Sequence, residues 1–202
     1  MKLWNYKMPA VAGRITTGFY KLIYPKFRIE NGYNIWGRYF ITMFDPAHSS
    51  INIGKNLHMV SVSKRSSMTV YSPSSFTTFS KASIVIGDNV GMNGTIIASK
   101  KEIKIGNDCM FAPNVVLMDS DFHIIWPPHK RFYSNTAKYD KAVVIGNNVW
   151  VGMNSIILKG VTIGENSVIG AGSVVSTDIP ENVIAAENPA KIVRSIGKPI
   201  HD

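Results

Sequence analysis

The sequence predicts an all-β chain wound as a parallel β-helix, with one long loop leaving the coil and short additions at both ends. Three observations carry that expectation: an aliphatic residue that returns at every sixth position, Gly or Asn where such a coil must bend, and one stretch where the repeat stops and resumes. From Ile145 the chain reads IGNNVW, VGMNSI, ILKGVT, IGENSV, IGAGSV and VSTDIP, which sets Ile145, Val151, Ile157, Ile163, Ile169 and Val175 at one constant step. Neither an amphipathic helix nor an alternating strand has that period. A coil of triangular cross-section does: each side turns its aliphatic residue inward, and Gly and Asn ease the corners. Successive turns then stack as parallel strands and bury aliphatic columns.

Taken in order, residues 1–34 are aromatic and basic and are expected to cap the first turn, as a helix, because the ends of stacked repeats need covers. The coil is expected over residues 35–180. Ile35, Ile41 and Ile53-Gly54 begin it, Met68, Ile86-Gly87 and Met92 continue it, and Ile105-Gly106, Phe111-Ala112 and Leu117 keep the step. Ile53 to Met68 is three residues short of a full turn, which leaves the register open there. Ile86 to Ile105 is one residue longer than a full turn, which predicts a bulge near Ser99 to Lys101. Ile105 to Ile145 exceeds two turns, so an excursion is expected at about 119–141. Long loops inside regular repeats tend to carry function. After Pro180 the repeat stops, and residues 181–202 read as a tail.

The 202 residues fit one domain, and 45% apolar against 17% charged composition favours a folded chain over a disordered one. Cys109 is the single cysteine, which excludes a disulfide framework and fits a reducing compartment. No stretch approaches the roughly 20 apolar residues of a membrane-spanning helix, and Met1 to Pro9 lacks the apolar run of a secretory signal. A cytoplasmic location is expected. The net charge of +9 attracts anionic lipid and phosphorylated cofactors or substrates. Zinc-ligand patterns and aromatic nucleic-acid motifs are missing, so nucleic acid is not an expected partner. The basic, aromatic N-terminus could touch a membrane surface peripherally.

The stretches IGNDCMFAPNVVLMDSDFH, IGNNVWVGMNSIILKGVTIGENSVIGAGSVV and NPAKIVR lie within Ile84 to Arg194. Over that span the chain resembles the hexapeptide-repeat acyltransferases. Among them it is most similar to sugar O-acetyltransferases such as the galactoside and maltose enzymes and those encoded with polysaccharide-assembly genes. The resemblance implies a left-handed coil, a homotrimer with acetyl-CoA bound between neighbouring coils, and no metal. It implies a loop histidine acting as general base, at the position of His123 here. It further implies that backbone around Gly152 and Ala171 lines the pantetheine arm, that Trp150 lies beside the acetyl end, and that Lys191 lies near the nucleotide end of CoA. One position departs from the pattern: the family usually has Gly directly before the NPAK stretch, and this chain has Glu187.

Acyl transfer to an alcohol needs a base, a group that stabilises the oxyanion, and a means of holding two substrates together. An imidazole titrates near neutral pH, which suits His123 to the first task. Asp119 and Asp121 alternate with His123, so an extended segment puts all three on one side. Either carboxylate could orient the ring, and Asp121 is the closer choice. Asn93 or the amide of Gly152 could face the oxyanion. The competing reading makes Asn93 a corner residue, like Asn89, Asn107, Asn148 and Asn166. Lys159 joins Lys191 as a candidate for the phosphates of CoA. Trp126, Phe132, Tyr133 and Tyr139 could stack on a sugar or hold the loop against a neighbouring subunit. Cys109 reads as a small inward residue, which favours direct transfer over an acyl-cysteine. The expected activity is acetyl-CoA-dependent O-acetylation of a sugar or glycan hydroxyl. N-acetylation of an amino sugar and a non-catalytic scaffold are the alternatives. A zinc hydratase on this coil needs three histidines per metal, and only His123 and His129 lie close in sequence.

Overall fold

Successive strands fall into three sheets in rotation, so that from the fourth to the eighteenth each strand hydrogen-bonds the strand three places earlier in the chain. The computed structural model describes residues 4–66, 68–132 and 135–197. Tyr133 lies outside them. The first sheet runs from the Phe27–Ile29 strand to the Thr162–Ile163 strand, and the third from Phe40–Met43 to Val174–Val175. The second runs from Asn34–Trp36 through Val183–Ala186, which the Lys191–Ser195 strand closes by antiparallel pairing.

One inward residue per side stands over its equivalent in the next turn. In the first sheet Ile29, Ile53, Ile86, Ile105, Ile145 and Ile163 align in register. In the second the column is Ile35, Met59, Met92, Phe111, Val151, Ile169 and Ala185. In the third it is Ile41, Phe76, Ile97, Leu117, Ile157 and Val175. All of these side chains are buried, and each large one contributes about 1.5–3 kcal/mol of transfer free energy. The constant step in the sequence is therefore the spacing of the core.

Asparagines hold the corners by conformation and by side-chain bonding. Asn56, Asn89, Asn148, Asn166 and Asn182 all have φ between 54° and 60°, a region that Asn tolerates better than most residues. Their amides link turn to turn, Asn148 donating to Asn166 and Asn166 to Asn182, each at 3.0 Å. Asn107 serves differently, its Oδ1 accepting the Asp88 N–H at 2.8 Å.

Three boundaries differ from expectation. Strand pairing begins at Phe27 and reaches Ser195, inside both segments set aside as terminal additions. Ile53 pairs with Ile86, whereas Met68 is exposed. Residues 62–66 and 68–74 therefore lie outside the coil's strands, in a second, smaller excursion that includes the 3-10 turn Ser63–Arg65. Its Met68 and Val70 mimic the apolar step, which is why the pattern conceals it. At the N-terminus a helix, Trp4–Ile23, lies against the first turn. Gly13 permits the approach, since a Cβ there would meet the Ile35 carbonyl oxygen at 2.5 Å. Thr17 is buried and shares a 2.8 Å hydrogen bond with the Tyr39 hydroxyl.

Candidate active site

The long excursion leaves the third sheet after Val116–Met118 and returns to the first at Val143–Ile145. Asp119 anchors its start. This carboxylate is fully buried and accepts hydrogen bonds from Ser99 Oγ (2.6 Å), Lys100 N (2.7 Å) and Lys101 N (2.9 Å). The extra residue between Ile86 and Ile105 thus supplies amides to Asp119. The Asp119 carbonyl also accepts the Lys141 N–H at 3.0 Å, which ties the exit of the excursion to its entry. Beyond it, Lys100 Nζ donates to Thr136 Oγ1 at 2.7 Å and lies 6.0 Å from the centre of the Phe122 ring. Phe122 has φ 59°, and it turns the chain into His123.

His123 is exposed, and its Nδ1 lies 3.0 Å from the Arg131 carbonyl oxygen. A carbonyl only accepts, so Nδ1 carries the hydrogen, and Nε2 of the neutral ring is left as the acceptor. The Phe132 ring meets the imidazole edge-on at 5.7 Å between centres. Asp121, His123, Ile124, Ile125, Trp126, Tyr139 and Lys159 line one pocket of about 150 Å³. Within it Asp121 forms an ion pair with Lys159 Nζ. Asp119, Asp121 and His123 therefore do not form a relay within the chain: one carboxylate is spent on backbone amides, the other on a lysine, and the ring on a carbonyl.

Trp150 lies on the outer face of the second sheet, paired with Met110, and both are exposed. Asp108, Met110, Asn148, Val149 and Trp150 line a second, wider pocket of about 310 Å³. Gly152 is close by, and a Cβ there would stand 2.5 Å from the Ala171 nitrogen. Its own N–H is donated to the Ile169 carbonyl at 2.8 Å, so this amide is not available to an oxyanion. Ala171 is exposed just past that strand. Asn93 ends the Gly91–Asn93 strand of the same sheet and is not a left-handed corner. Cys109 is buried, its Sγ lies 3.1 Å from the Gly146 carbonyl, and burial raises its pKa. Such a thiol is a poor nucleophile. Among the described residues no three His, Cys, Asp or Glu side chains converge.

Residues 142–177 match the family model described as bacterial transferase hexapeptide (six repeats). Those residues carry the hexapeptide repeat. It is 42% identical over 116 residues to a galactoside O-acetyltransferase of Escherichia coli K12, covering 57% of this chain and 55% of that relative. The chain spans little more than half the length of the curated relatives it matches. A solved galactoside acetyltransferase in complex with coenzyme A superposes with a TM-score of 0.57 and 26% identity, over 95% of this chain and 82% of the other. An N-acyltransferase from Bacillus cereus has the same fold, with a TM-score of 0.65 at 18% identity, covering 88% and 89% of the two chains.

Two features of this chain escape pattern reading. The partner of His123 is a backbone carbonyl, which leaves no side-chain signature. The Asp121–Lys159 pair joins positions far apart in sequence, and only the coil's register brings them together. Lys191 is exposed at the start of the final strand, after the turn that contains Glu187. Glu187 has φ 89°, a region that favours glycine. Glu187→Gly is accordingly expected to stabilise the protein by about 1 kcal/mol. Thermal melting would show this as a rise of a few degrees, and an unchanged or lower Tm would refute the strain.

Proposed function

We propose that the protein is an acetyl-CoA-dependent O-acetyltransferase acting on a sugar or glycan hydroxyl, built as a left-handed parallel β-helix that works as a homotrimer. The observation that carries this reading is the state of His123, an exposed ring whose Nδ1 is held by the Arg131 carbonyl, which leaves Nε2 to act as the base. The acceptor hydroxyl gives its proton to Nε2 as its oxygen attacks the thioester carbonyl. Collapse of the tetrahedral adduct breaks the carbon–sulfur bond, and the departing CoA thiolate takes the proton from the imidazolium. An acetyl ester and free CoA result, with no covalent enzyme intermediate.

In this reading the second pocket, with Trp150, faces a neighbouring subunit, and acetyl-CoA runs between them past Gly152 and Ala171 towards Lys191. The exposure of both Trp150 and His123 on a single chain supports such sharing. The Trp4–Ile23 helix acts as the cap, the long excursion after Val116–Met118 carries the base, and the Lys191–Ser195 strand closes the coil. Trp126 and Tyr139 offer faces to a sugar ring beside His123.

The test is release of CoA from acetyl-CoA in the presence of sugars, nucleotide sugars, amino sugars and oligosaccharides. Acceptor-dependent release with an ester product supports the proposal. An amide product would assign N-acetylation instead. Failure of acetyl-CoA to raise the melting temperature would leave a scaffold as the better reading.

A further inference from the structure

The N-terminal helix has two apolar faces, and the first turn of the coil covers only one of them. Gly13, Thr17 and Tyr20 lie at helical spacing on the inward side, with Thr17 bonded to Tyr39 and the Tyr20 hydroxyl donating to the Tyr39 carbonyl. Ile15, Phe19, Leu22 and Ile23 fall on the opposite side. Ile15 is 68% exposed, Phe19 57% and Leu22 84%. Side chains this large, contiguous at one-turn spacing and open to solvent, mark a surface that meets something apolar.

Charge identifies the occupant. Arg14 and Lys21 are exposed on the same helix, Lys26 and Arg28 are exposed just after it, and no Asp or Glu precedes Glu30 in the sequence. An apolar stripe edged by cations alone is the arrangement of a helix lying in the headgroup region of an anionic bilayer. A second copy of this chain fits less well, because like charges would then meet across the contact. No helix among the described residues is long and apolar enough to cross a membrane, so the contact is one of lying on the surface. We propose that the outer face of the Trp4–Ile23 helix docks the protein on anionic lipid membranes, with Ile15, Phe19, Leu22 and Ile23 entering the interface and Arg14, Lys21, Lys26 and Arg28 meeting the headgroups.

Co-sedimentation of the full chain with phosphatidylcholine vesicles, with and without phosphatidylserine, tests this independently of catalysis. The wild type is expected to bind the anionic vesicles and to be released by salt. The double variant Phe19→Asp/Leu22→Asp is expected to bind them at least about tenfold more weakly. Arg14→Glu/Lys21→Glu is expected to show a loss of similar size, confined to anionic vesicles. Both pairs point away from the core, and circular dichroism with melting would confirm that each variant folds. Wild-type protein that ignores anionic vesicles would overturn the proposal, as would variants that bind like wild type. A change of oligomeric state in Phe19→Asp/Leu22→Asp, without vesicle binding by the wild type, would reassign the face to contact between copies.

Discussion

His123→Ala is expected to lower acetyl transfer by about 100-fold or more, the usual scale for loss of a general base. The KM for acetyl-CoA should change little, because the pocket proposed to hold it is lined by Asp108, Met110, Asn148, Val149 and Trp150 and not by His123. The assay is CoA release with whichever acceptor of that panel supports it. Activity near that of wild type would end the assignment and turn attention to His129 or to attack assisted by the substrate itself. The ring is oriented by the Arg131 carbonyl at 3.0 Å, not by a carboxylate, and this yields a second, contrasting expectation. Asp121→Asn should cost less than about tenfold, since its carboxylate engages Lys159 and the tautomer of His123 does not depend on it. If Asp121→Asn instead matched His123→Ala, the carboxylate would have to reach the ring during turnover.

These contrasts show what a sequence can and cannot disclose here. The step of six was legible because a buried column tolerates only aliphatic residues at its repeat, and Ile145, Val151 and Ile157 each occupy one sheet at the same height. The asparagine corners were legible for a related reason: the left-handed conformation restricts residue choice there. The excursion was visible as an interruption, and His123 as its one histidine within a matching stretch. Alternation could place Asp119, Asp121 and His123 on one side, but the left-handed Phe122 breaks the extended run between them. Backbone partners leave no trace in composition, so neither the Arg131 carbonyl nor the sealed amide of Gly152 could be read in advance. Met68 misled because an apolar residue in a loop looks like one in a column.

Asp119→Ala is expected to destabilise the protein by roughly 3 kcal/mol or more, since it leaves the amides of Lys100 and Lys101 and the Ser99 hydroxyl without their shared acceptor in a buried site. For a chain of this size that corresponds to a fall in Tm of about 6–12 °C. Asp119→Asn should fall by less: its oxygen keeps one of the bonds, while its amide meets donors that it cannot serve. The pair of variants separates two roles that alternation in the sequence left open. If Asp119 acted on His123 directly, Asp119→Asn would lose transfer by about 100-fold at a nearly normal Tm. As an anchor, it should lower Tm in both variants while the Asn form keeps most of its activity well below its melting point. The backbone bond from Lys141 to the Asp119 carbonyl survives either change, so the excursion stays closed at its base. What weakens is the footing four residues before the base, and heat should expose it before chemistry does.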